Sequence, residues 1–240
     1  HLCPMVYAFK NAWLLFRQAP QTFFFFGVAA YAAAMLGTFF PYLAFLATYF
    51  VLPALYVGVA MVAEEGGYTG ADAKQKLFSL GKGFLHAGTL GMLLLFQLIV
   101  GAMLLGFVVA LFLDADTAAT VESIQKEAAN DPALLMELLS TEVDWVRSQF
   151  LGMALFLMAL ALVAFSLQAW FIRVFEAESF FGSIRGSIQR GRKNFPTWVA
   201  FTFLILLVFV GDFFTNGLLR LFSFPLLALT HYFLYKKMRS

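Results

Sequence analysis

The stretch RGRKNFPTWVAFTFLILLVFV, residues 190–210, sets three cations within four residues shortly before a long apolar run. A helix of roughly 20 apolar residues is long enough to cross the hydrocarbon core of a bilayer. Lys and Arg are enriched in the loops on the cytoplasmic side of such helices, where they fix the direction of insertion. The stretch therefore predicts a membrane-spanning helix that follows a cytoplasmic loop.

The composition of the whole chain agrees with this prediction. Of the 240 residues, 62% are hydrophobic and 12% are charged, and the mean hydropathy is +0.82. Such a chain has too little polar surface to cover a water-soluble globule. The composition thus excludes the soluble classes and indicates an integral membrane protein.

Six apolar windows come close to the length of a membrane span. They are residues 22–40, 42–63, 88–113, 150–172, 197–215 and 219–235. The windows are apolar on all sides and lack the alternation that a membrane β-barrel requires. We therefore predict an all-α fold, a polytopic helical bundle that forms a single membrane domain over residues 1–240. Pro225 lies near the start of the last window, so we expect that helix to be tilted, partly unwound or late to begin.

The distribution of cations predicts which side of the membrane each loop faces. Thirteen of the 16 Lys and Arg residues fall on one side of the six spans, and the opposite side holds Lys126, Arg147 and Arg220. The cation-rich side is therefore expected to be cytoplasmic, with both termini on that side. This topology alone accounts for the charges of residues 190–193.

Three amphipathic segments each precede a pair of spans. In FFGSIRGSIQRGRK, large apolar residues recur at helical spacing and cations fall on another face. VYAFKNAWLLFRQAP and ADAKQKLFSLGKGFLHAG have a similar pattern, and such helices lie flat in the headgroup layer. We therefore expect a three-fold repeat of one interfacial helix and two spans, with units that begin near residues 6, 71 and 178. The apolar residues of the three faces are Val6, Phe9, Trp13, Phe16, Ala73, Leu77, Leu80, Phe84, Phe180, Phe181, Ile184 and Ile188.

Several segments resemble a known group of bacterial proteins. They are the opening AWLLFRQAP, the spans with Pro41 and Pro53, the helix LFSLGKGF and the segment SIRGSIQRGRKNFP. Over most of its length the chain resembles the YciC-like inner-membrane proteins, which are similar in layout to the membrane domain attached to some glycerophosphodiesterases. The resemblance implies a six-span protein of the bacterial inner membrane, and it implies no catalytic or binding residue.

The largest polar segment, residues 114–148, connects the third and fourth windows and is expected to be periplasmic. Eight acidic residues against Lys126 and Arg147 give it a net charge of −6. Asp131 followed by Pro132 is typical of a helix start, so we expect an acidic helical hairpin. A solvated connector accounts for such a segment, and the alternative is a docking surface for a protein partner. The apolar residues of that surface are Leu134, Leu135, Leu138 and Leu139.

Asp212 is the ionisable residue that lies most clearly inside a predicted span. Burying a charge in lipid costs several kcal/mol unless the charge is paired. Arg220 follows the turn FFTNG at a similar depth, so the two side chains can meet across an antiparallel hairpin. We predict a buried ion pair, and the alternative is a proton or cation relay.

Motifs of catalysis and metal binding are missing from the sequence. It has no HExxH, paired CxxC or GxSxG motif, and SLGKGF lacks the pattern of a P-loop. We therefore expect no enzymatic activity, no metal and no cofactor. His86 and His231 fall on the same side and a haem between them is conceivable, but structural histidines are far more common.

Two classes of function are consistent with these features. The first is a non-enzymatic inner-membrane protein that binds lipid or serves as an accessory or scaffolding subunit of a membrane assembly. In that class, anionic headgroups on the cytoplasmic side contact the basic segment, and no nucleic acid is expected. The expected contact residues are Arg185, Arg190, Arg192 and Lys193. The second class is a small permease or lipid-translocating transporter, with Pro53 and Pro225 breaking helices near a central site. A subunit of a respiratory complex is a remote alternative.

Overall fold

The computed structural model describes residues 4–65, 81, 83–112, 115–127, 131, 134, 137 and 168–239. Every regular element in these residues is helical, which confirms the all-α fold predicted from the sequence. The helices are α1 (Pro4–Gln18), α2 (Pro20–Phe39), α3 (Pro41–Leu46), α4 (Leu52–Glu64), α5 (Ala87–Phe112), α6 (Ala115–Glu127), α7 (168–175), α8 (Phe180–Lys193), α9 (Phe195–Phe214) and α10 (Arg220–Arg239). A π-helical turn, Ala47–Val51, joins α3 to α4, and a 3₁₀ turn, Gly83–His86, leads into α5.

Four helical segments of the described residues are long and apolar enough to cross a membrane. They are Pro20–Phe39, Tyr42–Glu64, Gly83–Met103 and Phe195–Phe214. They overlap the predicted windows 22–40, 42–63, 88–113 and 197–215, so the architecture is compatible with a polytopic membrane protein.

The two remaining windows are described only in part or are less apolar. Window 150–172 lies outside the described residues except for 168–172. Window 219–235 is helical because it lies within α10, but α10 is not among the four apolar segments. Polar side chains such as Ser223, Thr230 and His231 are buried in α10, and they lower its hydropathy.

The segment from Pro41 to Glu64 is one helical rod with a single widened turn. Pro53 has no N–H, and its ring crowds the carbonyl one turn earlier. The π-helical turn Ala47–Val51 directly precedes this proline, and the Leu52 N–H bonds to the Ala47 carbonyl. The extra residue in that turn lets α3 and α4 continue as one span past the proline.

The chain divides into two compact units, residues 1–97 with 163–240, and residues 98–162. In the first unit, α10 is the central helix and packs against α1, α2 and α4. Ala228, Leu229 and Tyr232 of α10 belong to the main hydrophobic core of this unit. A helix so enclosed by protein needs less apolar surface than one that faces lipid.

The second unit contains residues 98–112 of α5, α6 and the few described residues that follow it. On α6, Lys126 forms an ion pair with Glu122 one turn earlier, with Nζ 2.7 Å from Oε1. Asp131 Oδ1 accepts a hydrogen bond from the Leu134 N–H at 3.2 Å. That bond has the geometry of a helix N-cap, in agreement with the helix start read from the sequence at Asp131.

The packed face of α1 consists mainly of small residues. Of the four apolar residues placed on one face by the sequence pattern, Phe16 is buried, and it joins Ala8 and Ala12 there. Phe9 and Trp13 are each 45% exposed. Small residues let helix backbones approach closely, and large apolar side chains gain nothing by leaving lipid for protein. The outward face of α1 is therefore the one that suits contact with lipid.

Two glycines mark the closest approaches between helical segments. A Cβ at Gly27 of α2 would stand 1.9 Å from the Leu221 carbonyl oxygen of α10. A Cβ at Gly83 would stand 1.7 Å from the Ala54 carbonyl oxygen of α4. Neither position accepts a side chain unless the helices separate. The third apolar segment begins at Gly83, before the predicted start at residue 88.

Candidate functional site

Local signals fix both ends of the basic helix α8. Ser179 caps its N-terminus, since Oγ accepts a hydrogen bond from the Gly182 N–H at 3.0 Å. Ala177 adopts a φ of +51°, which turns the chain between α7 and α8. The last turn carries the cations of RGRK, where positive charge interacts favourably with the helix dipole.

The packed face of α8 consists of small residues, and large apolar residues point outward. Ser183, Ser187 and Gly191 are buried at intervals of four residues. Phe181 is 73% exposed and Ile188 is 37% exposed. The helix is amphipathic as its sequence predicts, and its apolar side chains are available to lipid.

Two contacts anchor α8 on its neighbours. Phe180 packs edge-on against Phe96 of α5, with the ring centroids 5.7 Å apart. Gly186 lies against α7, since a Cβ there would stand 3.2 Å from Ile172 Cδ1. The N-terminal end of α8 therefore rests on an apolar helix, whereas its C-terminal end carries the cations.

Arg190 binds an acid that the sequence analysis did not single out. Its two terminal nitrogens donate to the two carboxylate oxygens of Glu176 at 2.7 and 2.8 Å. The Tyr235 hydroxyl of α10 donates to the same carboxylate at 2.7 Å, and Arg239 Nε stands 4.0 Å from it. The side chains of Glu176 and Arg190 are 17% and 24% exposed. This Glu176 clamp joins α8 to the end of α7 and to α10.

The clamp shifts the pKa values of both partners. Burial alone would raise the pKa of Glu176, but hydrogen bonds from Arg190 and Tyr235 and the nearby positive charges outweigh burial. The pKa of Glu176 therefore lies below its ordinary value of 4.5. The hydrogen bond to Glu176 raises the pKa of Arg190. Both groups are charged at neutral pH, and the charge of Arg190 is neutralised within the protein.

A cavity of about 520 Å³ opens along α8, and we call it the α8 cavity. Arg185 and Lys193 line it, and both residues are exposed. Within the part of the chain that the structure describes, neither of them forms an ion pair. Two exposed cations that line one cavity without an ion pair attract an anion to it.

The other lining residues of the α8 cavity add polar groups and space. Gln189 and Asn194 provide amide groups, and Asn194 Nδ2 donates to the Arg190 carbonyl at 3.2 Å. Gly182 and Gly186 also line the cavity, and they leave room where other residues would place a side chain. An Arg guanidinium presents several N–H groups in a plane, a geometry that matches a phosphate.

The four predicted headgroup cations thus have three different environments. Arg185 and Lys193 line the α8 cavity. Arg190 also reaches it, but its charge is taken up by Glu176. Arg192 is exposed and lies outside the lining. The structure therefore separates two candidate ligands from one structural cation and one surface cation.

The structure brings Asp212 and Arg220 together at the turn between α9 and α10. Asp212 Oδ1 accepts from the Arg220 backbone N–H at 3.0 Å, and Oδ2 accepts from Arg220 Nε at 2.9 Å and also from Nη2. Asn216 and Gly217 take positive φ angles of 51° and 83° to close the turn. A relay needs a carboxylate that is free to exchange protons or ions, whereas both oxygens here are occupied. The geometry favours the structural ion pair over a proton or cation relay at Asp212.

His231 lies inside a box of aromatic rings and is fully buried. The rings belong to Tyr56, Phe171, Trp198 and Phe201, with centroids 5.8, 4.4, 5.5 and 5.2 Å from that of the imidazole. Its Nδ1 is 3.2 Å from the Tyr56 hydroxyl. These rings occupy the space that a porphyrin on His231 would need. His231 thus packs as a core residue, while His86 lies in the 3₁₀ turn before α5.

The predicted docking surface is described at one residue. Leu134 is partly buried, and Leu135, Leu138 and Leu139 lie outside the described residues. The docking surface therefore stays a prediction.

Sequence reasoning missed three residues of the site: Glu176 and Tyr235 of the clamp, and Glu178, which lines the α8 cavity together with the cations. The two acids stand in FEAESF, directly before the most basic helix of the chain. Acids that flank a cation-rich helix often pair with it, so this spacing was the available signal. Tyr235 gives no such signal, because its contact depends on how α10 packs.

Comparisons of the chain with protein-family models, with curated proteins and with solved structures find no match.

Proposed function

We propose that the protein is a non-enzymatic, multi-pass protein of the bacterial inner membrane that binds phospholipid headgroups on the cytoplasmic side. The α8 cavity is the binding site, and the phosphate of the headgroup is the bound anion. Arg185 and Lys193 are its ligands. A protein that holds lipid in this way serves as an accessory or scaffolding subunit of a membrane assembly.

The observation that carries this proposal is the pairing of free cations with lipid-facing apolar residues on one short helix. Arg185 and Lys193 face the α8 cavity, while Phe181 is 73% exposed on the same helix. A phospholipid offers both a phosphate and acyl chains. A soluble anion would use the cations but not the exposed phenyl ring.

The proposed topology places this site at the cytoplasmic headgroups. It comprises six spans with both termini in the cytoplasm, and it follows the excess of Lys and Arg in the loops on that side. The three-fold repeat and the resemblance to YciC-like proteins belong to the same proposal. The cations at the C-terminal ends of α8 and α10 then lie on one side of the membrane.

In an accessory subunit, the acidic segment 114–148 would serve as a contact for a protein partner. Residues 114–148 would lie in the periplasm, where their leucines offer a contact for a protein partner. A lipid site on the cytoplasmic side and a protein contact on the periplasmic side suit a subunit that holds other proteins of an assembly in the membrane.

Replacing both free cations tests the proposal. We expect Arg185→Gln with Lys193→Gln to lower the amount of phospholipid that the purified protein retains by on the order of ten-fold. Each cation near a charged membrane surface contributes about 1 kcal/mol to lipid binding. The measurement is native mass spectrometry of protein extracted with its surrounding membrane, with bound lipids counted per chain.

Arg192→Gln is the matched control, because Arg192 belongs to the same helix but lies outside the cavity. That variant should retain lipid as the parent protein does. Equal lipid retention by the double variant and the parent protein would overturn the proposal. Arg190→Gln is left out of the test because it breaks the Glu176 clamp.

A further inference from the structure

The α8 cavity contains an acid as well as cations. Glu178 lines the cavity one residue before the cap of α8. Its side chain extends over Gly182, since a Cβ at 182 would stand 2.8 Å from Glu178 Oε2. Arg173 donates a hydrogen bond to the Glu178 backbone carbonyl. Among the described residues, the Glu178 carboxylate itself has no ion pair.

The acid and the cations lie at different positions along the cavity. Glu178 precedes the first turn of α8, Arg185 lies near its middle and Lys193 is its last residue. The Glu178 carboxylate lies over Gly182, three residues before Arg185, so at a rise of about 1.5 Å per residue it is roughly 4–5 Å from the level of Arg185 along the axis. Gly182 and Gly186 lie on the cavity side before and after Arg185. The cavity therefore carries a negative charge at its Glu178 end and positive charges further along α8.

We propose that the α8 cavity selects headgroups that carry a primary ammonium next to the phosphate, the chemistry of phosphoethanolamine. The phosphate binds Arg185 and Lys193, and the ammonium binds the Glu178 carboxylate. This inference rests on the proposed lipid-binding function and adds the class of headgroup.

A primary ammonium fits this site better than the alternatives do. Its three N–H groups donate hydrogen bonds to a carboxylate, and such charge-assisted bonds are about twice as strong as neutral ones. A trimethylammonium has no N–H to donate. A glycerol headgroup donates only neutral hydroxyl groups and leaves the charge of Glu178 uncompensated.

The test compares headgroups in one membrane. The parent protein is placed in nanodiscs that contain equal amounts of phosphatidylethanolamine, phosphatidylglycerol and phosphatidylcholine with identical acyl chains. The protein is released from the nanodiscs, and native mass spectrometry identifies the lipids that stay bound to it. We expect enrichment of phosphatidylethanolamine, and we expect Glu178→Gln to reduce that enrichment about two- to five-fold, the range of an exposed ion pair.

Glu127→Gln, which removes an exposed acid of α6, is the matched control and should keep the parental enrichment. An unchanged lipid ratio in Glu178→Gln would overturn the inference while leaving the proposed function in place, provided that Arg185→Gln with Lys193→Gln still loses lipid. Equal retention by that double variant would overturn both.

A further arm separates the membrane lipid from a soluble ester with the same headgroup. Soluble phosphoethanolamine is added to the lipid-bound protein, and we expect the lipid to remain because its acyl chains contact the apolar face of α8. Displacement of the lipid by the soluble ester would assign the cavity to the free compound and overturn the lipid assignment.

Discussion

Glu176 holds three helices together through one carboxylate. It accepts two hydrogen bonds from Arg190 of α8 and one from Tyr235 of α10, and it lies at the end of α7. Removing a partner from such a group leaves a partly buried charge without compensation, which costs more than the intact pair contributes. Arg190 is therefore a structural residue, although it stands in the most basic turn of the chain.

The lowered pKa of Glu176 predicts how stability depends on pH. A carboxyl group whose pKa is lower in the folded state stabilises the fold fully above its unfolded value, and the stabilisation is lost as pH falls through the folded pKa. At neutral pH we expect Glu176→Gln to lower the free energy of unfolding by about 1–3 kcal/mol. Below the ordinary value of 4.5, we expect the difference between this variant and the parent protein to shrink.

Thermal unfolding in detergent between pH 7 and pH 3.5 measures this effect, with Glu127→Gln as an exposed-acid control. A difference between Glu176→Gln and the parent protein that stayed constant across this range would show that the clamp does not titrate as described.

The ion pairs Asp212–Arg220 and Glu176–Arg190 differ in how far a sequence can predict them. Asp212 and Arg220 are eight residues apart across a turn rich in polar and glycine residues, so their meeting follows from the turn alone. Glu176 and Arg190 are 14 residues apart. They meet because Ala177 adopts a positive φ and turns the chain between α7 and α8. Alanine rarely takes this conformation, and no sequence pattern predicts it here.

The contact between the helices α2 and α10 depends on a glycine, Gly27, which has no side chain. A Cβ at Gly27 would overlap the Leu221 carbonyl, which belongs to the backbone and cannot rotate away. We expect Gly27→Ala to lower the free energy of unfolding by about 1–3 kcal/mol, the usual range for overpacking. Thermal unfolding in detergent measures the change.

Gly88→Ala is the matched control for Gly27→Ala. Gly88 is also a helical glycine, but a Cβ there meets nothing within 4 Å. Alanine favours the helix more than glycine does, so this variant should be as stable as the parent protein or slightly more stable. Similar losses in both variants would contradict the close approach of α2 and α10.

The sequence pattern predicted the elements better than their packed faces. Long apolar windows are a strong signal, and four of them overlap apolar helical segments, three of these within two residues of the expected ends. For α1 and α8, the sequence pattern placed the large apolar residues on one face but did not indicate which residues pack against protein, because large apolar residues in a membrane need not pack inward. Small residues four apart, such as Ala8 with Ala12 and Ser183 with Ser187, were the better signal.

At a larger scale, α10 is the central helix of the first compact unit. It packs against α1, α2 and α4, so it carries buried Thr230 and His231 that a lipid-facing helix would not. This explains why the window 219–235 is not among the four apolar segments. That α10 is a helix could be predicted from the sequence, but its central place could not, because it depends on how α1, α2 and α4 pack around it.

The proposed orientation predicts the accessibility of single cysteines. Cys3 is the one cysteine of the chain, so a Cys3→Ser background leaves no native thiol. In that background, we expect Leu218→Cys, at the turn before α10, to react with a membrane-impermeant maleimide added outside the inner membrane. Arg192→Cys should react only after the membrane is opened, because the proposed topology places α8 on the cytoplasmic side.

Labelling of both cysteines from the same side would contradict this topology. Labelling in the reverse order would invert it and move the α8 cavity to the outer leaflet. Denatured samples of each variant control for the reactivity of the thiol itself.

The aromatic box around His231 gives the protein a built-in optical probe. Trp198 is fully buried, and its ring centroid lies 5.5 Å from that of His231. Trp170 lies edge-on to Tyr56, which borders the same box, at 5.9 Å. Indole fluorescence depends on the polarity around the ring and on nearby quenching groups. Once Trp13 and Trp145 are replaced by Phe, the emission of Trp170 and Trp198 therefore reports on the packing of α4, α7, α9 and α10 around one imidazole, without any attached dye.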